Sequence, residues 1–331
     1  MAVATSPASA VAETRATLRA SAVSGLGTSL PEQVVANSEI EARLGLADGW
    51  IERRTGIQTR RVAAPGETLL GHSVKAGRRA LSAAGVDPAA VSLVLVATTT
   101  ADQMLPNAAP LVAEGVGALG AGAFDLGAAC TGFLSALAMA SGWIESGRGD
   151  HVLIVGADFM TRITDPQDRG TAAVFADGAG AAVISVAAEG EGRIGPVLLG
   201  SDGSLGHHIQ LDHGSTLVMD GHETFRYAVQ HLAGSTVDAV AAAGLTLDEI
   251  DLFVYHQANR RILTAVADTL QVDAGRVVDC IAELGNTSAA TLPLALAYCQ
   301  ERQRLMPGEN VLLGAFGAGL TWGAGVLQWG I

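Results

Sequence analysis

Uninterrupted runs of hydrophobic residues recur along the chain, and segments with helical periodicity separate them. Four such runs are LVLVATT (93–99), HVLIVGA (151–157), LFVYH (252–256) and NVLLGAF (310–316). Continuous apolar runs of this length are typical of strands buried on both faces. Strands that alternate with helices predict βαβ crossovers and mainly parallel sheets. Two glycine-rich runs predict one further strand in each half of the chain, DGAGAAVISV (177–186) and WGAGVLQW (322–329).

An internal repeat organises these elements. Residues 80–96 align without a gap on 239–255, and the same offset of 159 residues places 149–158 on 308–317. Because the offset is close to half the chain length, we interpret the sequence as two copies of one α/β unit. Two such units stacked face to face predict a five-layered α/β/α/β/α body. The predicted organisation is a flexible N-terminal extension followed by two similar halves, with bounds 1–21, 22–186 and 187–331.

Composition narrows the class of protein. Hydrophobic residues make up 49% of the 331 residues and charged residues 16%, which fits a heavily buried α/β protein and argues against disorder. The formal net charge of −13 argues against nucleic-acid binding. No apolar run reaches the roughly 20 residues of a membrane span, so we expect no membrane partner. Three widely spaced cysteines form neither a disulfide framework nor a metal-binding pattern, so we expect no metal and a cytoplasmic location.

Cys130 is the first candidate for chemistry, because it follows a short strand and begins a long, nearly uncharged helix. The N-terminal turn of that helix would surround the sulfur with free backbone N–H groups and the positive end of the helix dipole. Both effects favour the thiolate, so we expect a lowered pKa and a nucleophilic Cys130. The alternative is that Cys130 is a small hydrophobic residue of the core, as free cysteines often are. This segment alone leaves both open.

His256 and Asn286 are two further candidates. His256 directly follows the buried strand LFVY, and α/β proteins gather their sites at the carboxyl ends of parallel strands. The equivalent residue in the other repeat is Ala97, so the two copies differ at this point. For Asn286, in GNTSAAT, turn formation and helix capping are the alternative to catalysis. The repeat offset places Asn286 opposite Gly127, so pseudo-symmetry is expected to bring Cys130 and Asn286 together.

With these residues in place, the sequence resembles the β-ketoacyl-acyl carrier protein synthase III enzymes of the thiolase superfamily over about residues 22–331. The blocks that carry the resemblance are GLGTSLPEQVVANSE (25–39), WIERRTGI (50–57), DLGAACTGF (125–133), TDPQDRGTAAVFADGAGAAV (164–183), VYHQANRRI (254–262), GNTSAAT (285–291) and AFGAGLTWG (315–323). The resemblance implies a thiolase-like fold, a homodimer, and a Cys-His-Asn triad of Cys130, His256 and Asn286.

The resemblance also implies a reaction. An acyl group passes from acyl-CoA to Cys130 and is extended by decarboxylative condensation with malonyl-acyl carrier protein, in fatty acid initiation or polyketide starter selection. No cofactor is expected besides these substrates. The implied oxyanion hole and active-site wall are Phe316, Gly317, Ala318 and Gly319, and the implied coenzyme A contacts are Trp50, Arg54, Arg169, Gly221, Asn259 and Arg261. Leu105 is expected to reach the acyl pocket across the dimer, and the arginines expected to dock an acidic carrier protein are Arg226, Arg260 and Arg261.

The chain departs from the family pattern at positions that affect its substrates. Asp268 and Thr269 stand where many family members carry paired lysines, which leaves open an acceptor other than malonyl-acyl carrier protein. Leu105 stands where phenylalanine is common, which indicates primers bulkier than acetyl. A second hypothesis is an acyl-CoA-dependent acyltransferase on the same scaffold that works without decarboxylation. A third is a catalytically silent scaffold subunit, which the retention of the whole triad disfavours.

Overall fold

The computed structural model describes residues 19–188 and 190–331, so residues 1–18 of the predicted N-terminal extension lie outside the described residues. The strands are β1 (Ser21–Ser29), β2 (Val34–Ala36), β3 (Thr59–Arg61), β4 (Val91–Ala97), β5 (Gly122–Leu126), β6 (His151–Phe159), β7 (Asp177–Val186), β8 (Arg193–Ser201), β9 (Ile209–Gln210), β10 (Val218–Met219), β11 (Leu252–Tyr255), β12 (Asn310–Gly317) and β13 (Thr321–Gln328).

The helices of the same ranges are α1 (Asn37–Leu44), α2 (Trp50–Thr55), α3 (Leu69–Ala84), α4 (Ala108–Val116), α5 (Gly132–Glu145), α6 (Gly221–Ala242), α7 (Arg260–Leu270), α8 (Ile281–Leu284) and α9 (Thr291–Glu301). None of these helices is long and apolar enough to span a bilayer.

Two large mixed sheets form the framework. The first has the strand order β1-β7-β6-β4-β5 and the second the order β11-β12-β13-β8. The hydrophobic strands of the repeats pair in parallel: β4 with β5 and β6, and β11 with β12. The glycine-rich strands β7 and β13 run antiparallel to both of their neighbours.

The sheets are mixed, as predicted, but the parallel share is smaller than the sequence interpretation expected. β13 follows β12 after a short turn, and β7 follows β6 after a loop that holds a single 3-10 turn, Met160–Arg162. Neither connection contains the crossover helix that joins parallel neighbours, so both pairs run antiparallel.

Six of the helices named above lie in three layers around the two sheets. α5 and α9 pack between the sheets, where their apolar side chains join those of both sheets in one large buried cluster. α3 and α4 cover the outer face of the first sheet, and α6 and α7 cover the outer face of the second. The predicted α/β/α/β/α order is therefore confirmed. Because α5 meets a sheet on two sides, its sequence has no charged face.

The repeat places two equivalent helix starts against each other. α5 follows the 3-10 turn Ala129–Thr131, and α9 follows the 3-10 turn Ser288–Ala290, so the offset of 159 residues is kept through both. The two 3-10 turns contact each other between the sheets. This contact brings Cys130, from one half, next to the loop that carries Asn286, from the other.

Candidate active site

Cys130 lies in the 3-10 turn immediately before α5, where the sequence placed it. Its Sγ is 3.5 Å from Ser288 Oγ, which stands in the equivalent turn of the other half. Among the described residues, Ser288 Oγ is the one side-chain partner of this sulfur, and it accepts the hydrogen bond that the thiol donates. The nucleophile candidate therefore sits at the junction of the two halves and not within either one.

The backbone of Gly317, at the end of β12, passes directly against Cys130. A Cβ at Gly317 would lie 2.9 Å from the Cys130 Cβ and 3.0 Å from the Cys130 backbone nitrogen, so only glycine fits here. Phe316, Gly317 and Ala318 line the cavity next to Cys130, whereas Gly319 does not. Ala318 is outside the left-handed φ region, so an alanine is tolerated at this point of the turn.

The protonation state of Cys130 is opposite to the one expected from the helix dipole. The pKa of the thiol is raised to about 12, first by burial and then by the negative charge of Asp158, against the lowering effect of the hydrogen bond with Ser288. A helix N-terminus offers an anion only a partial charge, which the loss of water outweighs here. The prediction of a lowered pKa is therefore wrong. The resting group is a thiol, whose proton must leave before the sulfur can attack.

His256 follows β11 and is buried beside the same cavity. Burial lowers the pKa of its imidazole to about 3, so the ring is neutral at physiological pH. Nδ1 is 2.6 Å from Thr291 Oγ1, and that hydroxyl is also 2.9 Å from the Ser288 carbonyl oxygen. Thr291 therefore fixes the ring from its Nδ1 side. The Nε2 atom has no partner among the described side chains and is free for a ligand.

Asn286 is buried, and its amide group is oriented by its own loop. Its Oδ1 accepts a hydrogen bond of 2.9 Å from the Ser288 backbone N–H, which leaves the Nδ2 hydrogens available to the cavity. The backbone of Asn286 is held in turn by Val174 and Ala176, at 3.2 and 2.9 Å. Of the alternative to catalysis, turn formation is present, because the Asn286 side chain bonds within the turn before α9. Capping of α9 is not, because its N-cap residue is Ala290.

Two adjoining cavities meet at Asn286. The inner cavity, of about 630 Å³, is lined by Cys130, His256 and Asn286, and its other walls are largely apolar, with Met160, Ile163, Phe175 and Leu217 among them. The outer cavity, of about 480 Å³, shares Asn286 and Ala258 with the inner one. The triad candidates are thus brought together at the inner end of a two-part cleft.

All six residues expected to bind coenzyme A line the outer cavity: Trp50, Arg54, Arg169, Gly221, Asn259 and Arg261. The Arg54 guanidinium lies over the Trp50 indole, 4.6 Å from the ring centroid, so that Arg54 covers one face of the ring. Asn259 is the N-cap of α7, and its Oδ1 accepts the Arg261 N–H at 2.9 Å. Its side chain therefore already has a structural partner in addition to any ligand.

The other sequence-predicted residues lie at the surface. Leu105 is 80% exposed in the loop before α4 and does not line the inner cavity of its own chain. Arg226 forms an ion pair with Glu223 at 2.5 Å, and Arg260 forms one with Asp279. Two of the three arginines expected to dock a carrier protein are thus paired within the chain. Arg261 makes a bond to a backbone carbonyl and no ion pair among the described residues.

Three residues at the site were missed from the sequence: Asp158, Ser288 and Thr291. Asp158 is the second-last residue of the buried strand β6, and His256 directly follows β11, so the strand-end rule would have found it. Ser288 and Thr291 stand inside GNTSAAT, a block that the sequence analysis singled out for Asn286 alone. Their side chains act through contacts with residues that are far away in sequence, which no local pattern shows.

The fold is that of a thiolase-like condensing enzyme, and comparison with known proteins gives the same class. The model of the 3-oxoacyl-[acyl-carrier-protein] synthase III family matches residues 124–203, and the model of its C-terminal part matches residues 240–329. A β-ketoacyl-[acyl-carrier-protein] synthase III from Roseiflexus castenholzii is 41% identical, over 93% of this chain and 98% of the relative. One from Streptomyces coelicolor is 45% identical, over 93% of each.

Solved structures agree. The 3-oxoacyl-(acyl carrier protein) synthase III of Pseudomonas aeruginosa superposes with a TM-score of 0.91 at 41% identity, covering 95% of this chain and 99% of that one. The priming β-ketosynthase of the R1128 polyketide pathway superposes with a TM-score of 0.89 at 39% identity, covering 94% and 97%. The chain belongs to the β-ketoacyl-acyl carrier protein synthase III family, and it is an acyltransferase that condenses acyl groups.

Proposed function

We propose that this enzyme loads a primer from acyl-CoA onto Cys130 and condenses it with malonyl-acyl carrier protein. The observation that carries the proposal is the two-part cleft. Cys130, His256 and Asn286 meet in the inner cavity, and the outer cavity that opens into it is lined by all six coenzyme A candidates. A thioester whose nucleotide end occupies the outer cavity would direct its acyl end towards the sulfur.

In the first half-reaction, the Cys130 sulfur attacks the thioester carbonyl and coenzyme A leaves as its thiol. The negative oxygen of the tetrahedral intermediate needs preorganised donors. The backbone N–H groups of Cys130 and Gly317 are our candidates. Because Gly317 has no Cβ, its peptide group can approach that of Cys130 closely. The large apolar inner cavity would hold the acyl chain.

In the second half-reaction, the malonyl thioester loses CO₂ and its enolate attacks the acyl carbon on Cys130. Neutral His256 and the Asn286 amide would donate hydrogen bonds to the enolate oxygen. Donation from His256 requires the proton on Nε2. Thr291 would then turn its one hydroxyl proton from the Ser288 carbonyl oxygen, which accepts it in the structure, to Nδ1. A neutral imidazole suits this role, because its donor is present at every pH at which the enzyme works.

The docking surface for the acidic carrier protein is proposed at the rim of the outer cavity. Arg54, Arg169 and Arg261 line that cavity, whereas Arg226 and Arg260 are partly neutralised by Glu223 and Asp279. In a chain with a net charge of −13, this rim is where an acidic partner would meet cations. We therefore assign the larger share of docking to Arg261 and the smaller share to the two paired arginines.

A homodimer is part of the proposal. β5 is an edge strand of the first sheet, and apolar side chains are exposed in it (Phe124), shortly before it (Leu119) and in the loop before α4 (Met104 and Leu105). An apolar sheet edge left open invites pairing, and a second copy would supply the same strand in the opposite direction. This arrangement would carry Leu105 towards the partner's inner cavity. Sedimentation of the wild type and of Phe124→Lys tests it: a monomeric wild type would contradict the dimer.

The reaction is tested by intact-mass measurement on a cytoplasmically expressed full chain. We expect one acyl-CoA of a panel to add its acyl mass to the wild type and not to Cys130→Ala. Malonyl-acyl carrier protein should then discharge the acyl group as a β-ketoacyl product with release of CO₂. Stable acylation that malonyl-acyl carrier protein cannot discharge would instead identify an acyltransferase without decarboxylation. If His256→Gln and Asn286→Ala still acylate but do not condense, the two half-reactions use the residues as proposed.

A further inference from the structure

A chain of hydroxyl contacts joins the turn that carries Cys130 to the turn that follows β12. Thr131, next to Cys130, and Thr321, the first residue of β13, have their Oγ1 atoms 2.9 Å apart. Each hydroxyl also lies close to a carbonyl oxygen of its own turn. Thr131 Oγ1 is 2.7 Å from the Ala128 oxygen. Thr321 Oγ1 is 3.0 Å from the Ala318 oxygen. Among the described residues, the bond between the two threonines is the one side-chain hydrogen bond between these turns.

The two threonines are tied directly to the backbone N–H groups proposed to hold the oxyanion. Thr131 follows Cys130 in the same 3-10 turn, and Thr321 is the cross-strand partner of Gly317 in the β12–β13 pair. Gly317 in turn lies against Cys130, where an added Cβ would be 3.0 Å from the Cys130 nitrogen. The separation of the two peptide groups is therefore fixed at two places, by the close approach of Gly317 and by the hydroxyl bond.

The threonines lie outside the inner cavity, so neither contacts an acyl group held there. Thr131 is buried, and both threonines line a separate pocket of about 230 Å³ beside Ala128. A backbone contact fixes the same turn after β12, because Leu320 exchanges two hydrogen bonds of 2.9 Å with Asp202. That contact ties the turn to its own half of the chain. The hydroxyl bond ties it to the half that carries the sulfur.

Two protons serve three contacts in this chain of hydroxyls. Each threonine hydroxyl has one proton to donate and can accept another. When Thr131 donates to Thr321, the Ala128 oxygen receives no proton from it. In the opposite direction, the Ala318 oxygen receives none. The bond between the turns is thus compatible with either direction. If one threonine is replaced, the other hydroxyl still has a carbonyl oxygen of its own turn, so no buried hydroxyl is left without a partner and we expect the fold to persist.

We propose that Thr131 and Thr321 are positioning residues that set the width of the oxyanion hole. Their bond holds the Cys130 and Gly317 N–H groups at the spacing that receives one negative oxygen. An oxyanion hole is effective because its donors are in place before the charge develops. A displacement of about 1 Å can cost about 100-fold in rate, so a bond that prevents such a displacement contributes to catalysis without touching the substrate. The inference rests on the oxyanion hole of the proposed function and names the contact that fixes its geometry.

The test measures the reactivity of Cys130 with and without a ligand that needs the oxyanion hole. Hexanal forms a reversible hemithioacetal, in which the sulfur bonds the carbonyl carbon and the thiol proton moves to the carbonyl oxygen. That oxygen would occupy the hole, and the adduct protects Cys130 from iodoacetamide. The hexanal concentration that halves the alkylation rate, followed by the mass of the labelled peptide, measures the affinity. Alkylation itself displaces iodide from a carbon atom and forms no oxyanion.

We expect Thr131→Val and Thr321→Val each to weaken hexanal binding about 10-fold, less than the roughly 100–1000-fold effect of a lost donor, because both donors remain. The alkylation rate without hexanal should not change. With an acyl-CoA, the maximal rate of acylation should fall in both variants, whereas the half-saturating concentration should stay the same. The double variant should be no weaker than either single variant, because all three lack the same bond.

Two further variants separate positioning from a general effect on the fold. Thr131→Ser keeps the hydroxyl and should retain the wild-type affinity for hexanal. Thr236→Val is the matched control, because the Thr236 hydroxyl forms a buried bond of 2.9 Å with the Tyr255 hydroxyl and Thr236 lines neither cavity of the cleft. This variant should bind hexanal as the wild type does. If Thr131→Val does not fold, Thr321→Val and Thr131→Ser carry the same test.

Wild-type hexanal affinity in both valine variants would overturn the proposal, and so would a double variant in which the two losses multiply. Slower alkylation without hexanal would also overturn it, because the threonines would then act on the sulfur and not on the oxyanion hole. A wild type that hexanal protects but that accepts no acyl-CoA would leave this inference standing and contradict the proposed function alone. A wild type that acyl-CoA acylates but hexanal does not protect would do the opposite.

Discussion

Ala129 and Ser288 occupy equivalent positions in the two halves, 159 residues apart, and both have left-handed backbones, with φ of +45° and +51°. Each begins the 3-10 turn that precedes a central helix, and the two turns contact each other. Duplication therefore produced the same strained turn twice. One copy aims Cys130 into the inner cavity, and the other presents the Ser288 hydroxyl to it. The strain is a property of the junction between the halves and not of either sequence alone.

Relieving the strain at Ala129 should stabilise the fold. An alanine in the left-handed conformation costs about 1–2 kcal/mol. Glycine removes this strain but loses more backbone entropy on folding, so Ala129→Gly should raise the free energy of unfolding by about 1 kcal/mol. Ala128→Gly is the control, because Ala128 has a φ of −142° and no such strain. It should lower the free energy of unfolding. Urea unfolding measures both, and destabilisation by Ala129→Gly would show that the turn is relaxed.

Gly317→Ala should impair acylation far more than it impairs folding. The new Cβ would lie within 3.0 Å of the Cys130 backbone nitrogen and would push apart the two peptide groups proposed to hold the oxyanion. Loss of such a donor typically costs about 100–1000-fold in rate. Gly234→Ala, on the exposed side of α6 with no atom within 4 Å of the added Cβ, is the control and should acylate normally. Acylation of Gly317→Ala at the wild-type rate would remove Gly317 from the oxyanion hole.

Much of this architecture was readable from the sequence for physical reasons. The layers and the site position follow from buried strands, an uncharged central helix and a repeat whose copies differ at His256. The antiparallel placing of β7 and β13 was not readable, because a glycine-rich strand carries no signal of direction. The pKa of Cys130 was predicted in the wrong direction, because a helix N-terminus is visible in sequence and burial against the other half is not.

The same distinction explains the missed residues. Ser288 lies 158 residues from the sulfur it contacts, and Asp158 lies 131 residues from the Ala289 N–H that it binds. In its local sequence, each of these residues is typical of a turn or of a strand end. Their function depends on contacts between the two halves, and these contacts exist only because the two 3-10 turns pack together.

Leu105→Phe should shift the preference for primers towards acetyl. Leu105 is outside the inner cavity of its own chain, so any effect on primer choice must come through a second copy. A larger side chain there would fill space otherwise left for the acyl chain. One methylene group more or less in a hydrophobic pocket changes the discrimination between substrates by about 10-fold or more. We expect the ratio of kcat/KM for acetyl-CoA over hexanoyl-CoA to rise at least about 10-fold. Met104→Phe, equally exposed one residue earlier, is the control, and equal ratios in both variants would contradict the assignment.

The buried neutral His256 should make stability fall in mild acid. Its pKa in the fold is about 3, below its ordinary value of 6.5, so between these values the unfolded chain binds a proton that the folded chain does not. Stability contributed by this group is therefore complete above about pH 6.5 and is lost as the pH falls towards 3. From pH 7 to pH 5 the loss should be about 2 kcal/mol, at 1.36 kcal/mol for each unit.

His256→Gln should remove that part of the pH dependence, because glutamine does not titrate. His222→Gln is the matched control, since the His222 side chain is 89% exposed, and this variant should keep the slope of the wild type. Urea unfolding of the three proteins at the two pH values measures the difference. An equal slope in wild type and His256→Gln would mean that the imidazole is charged or solvated in the fold. A neutral donor could then not be assigned to the enolate oxygen, and the condensation step would need another group in its place.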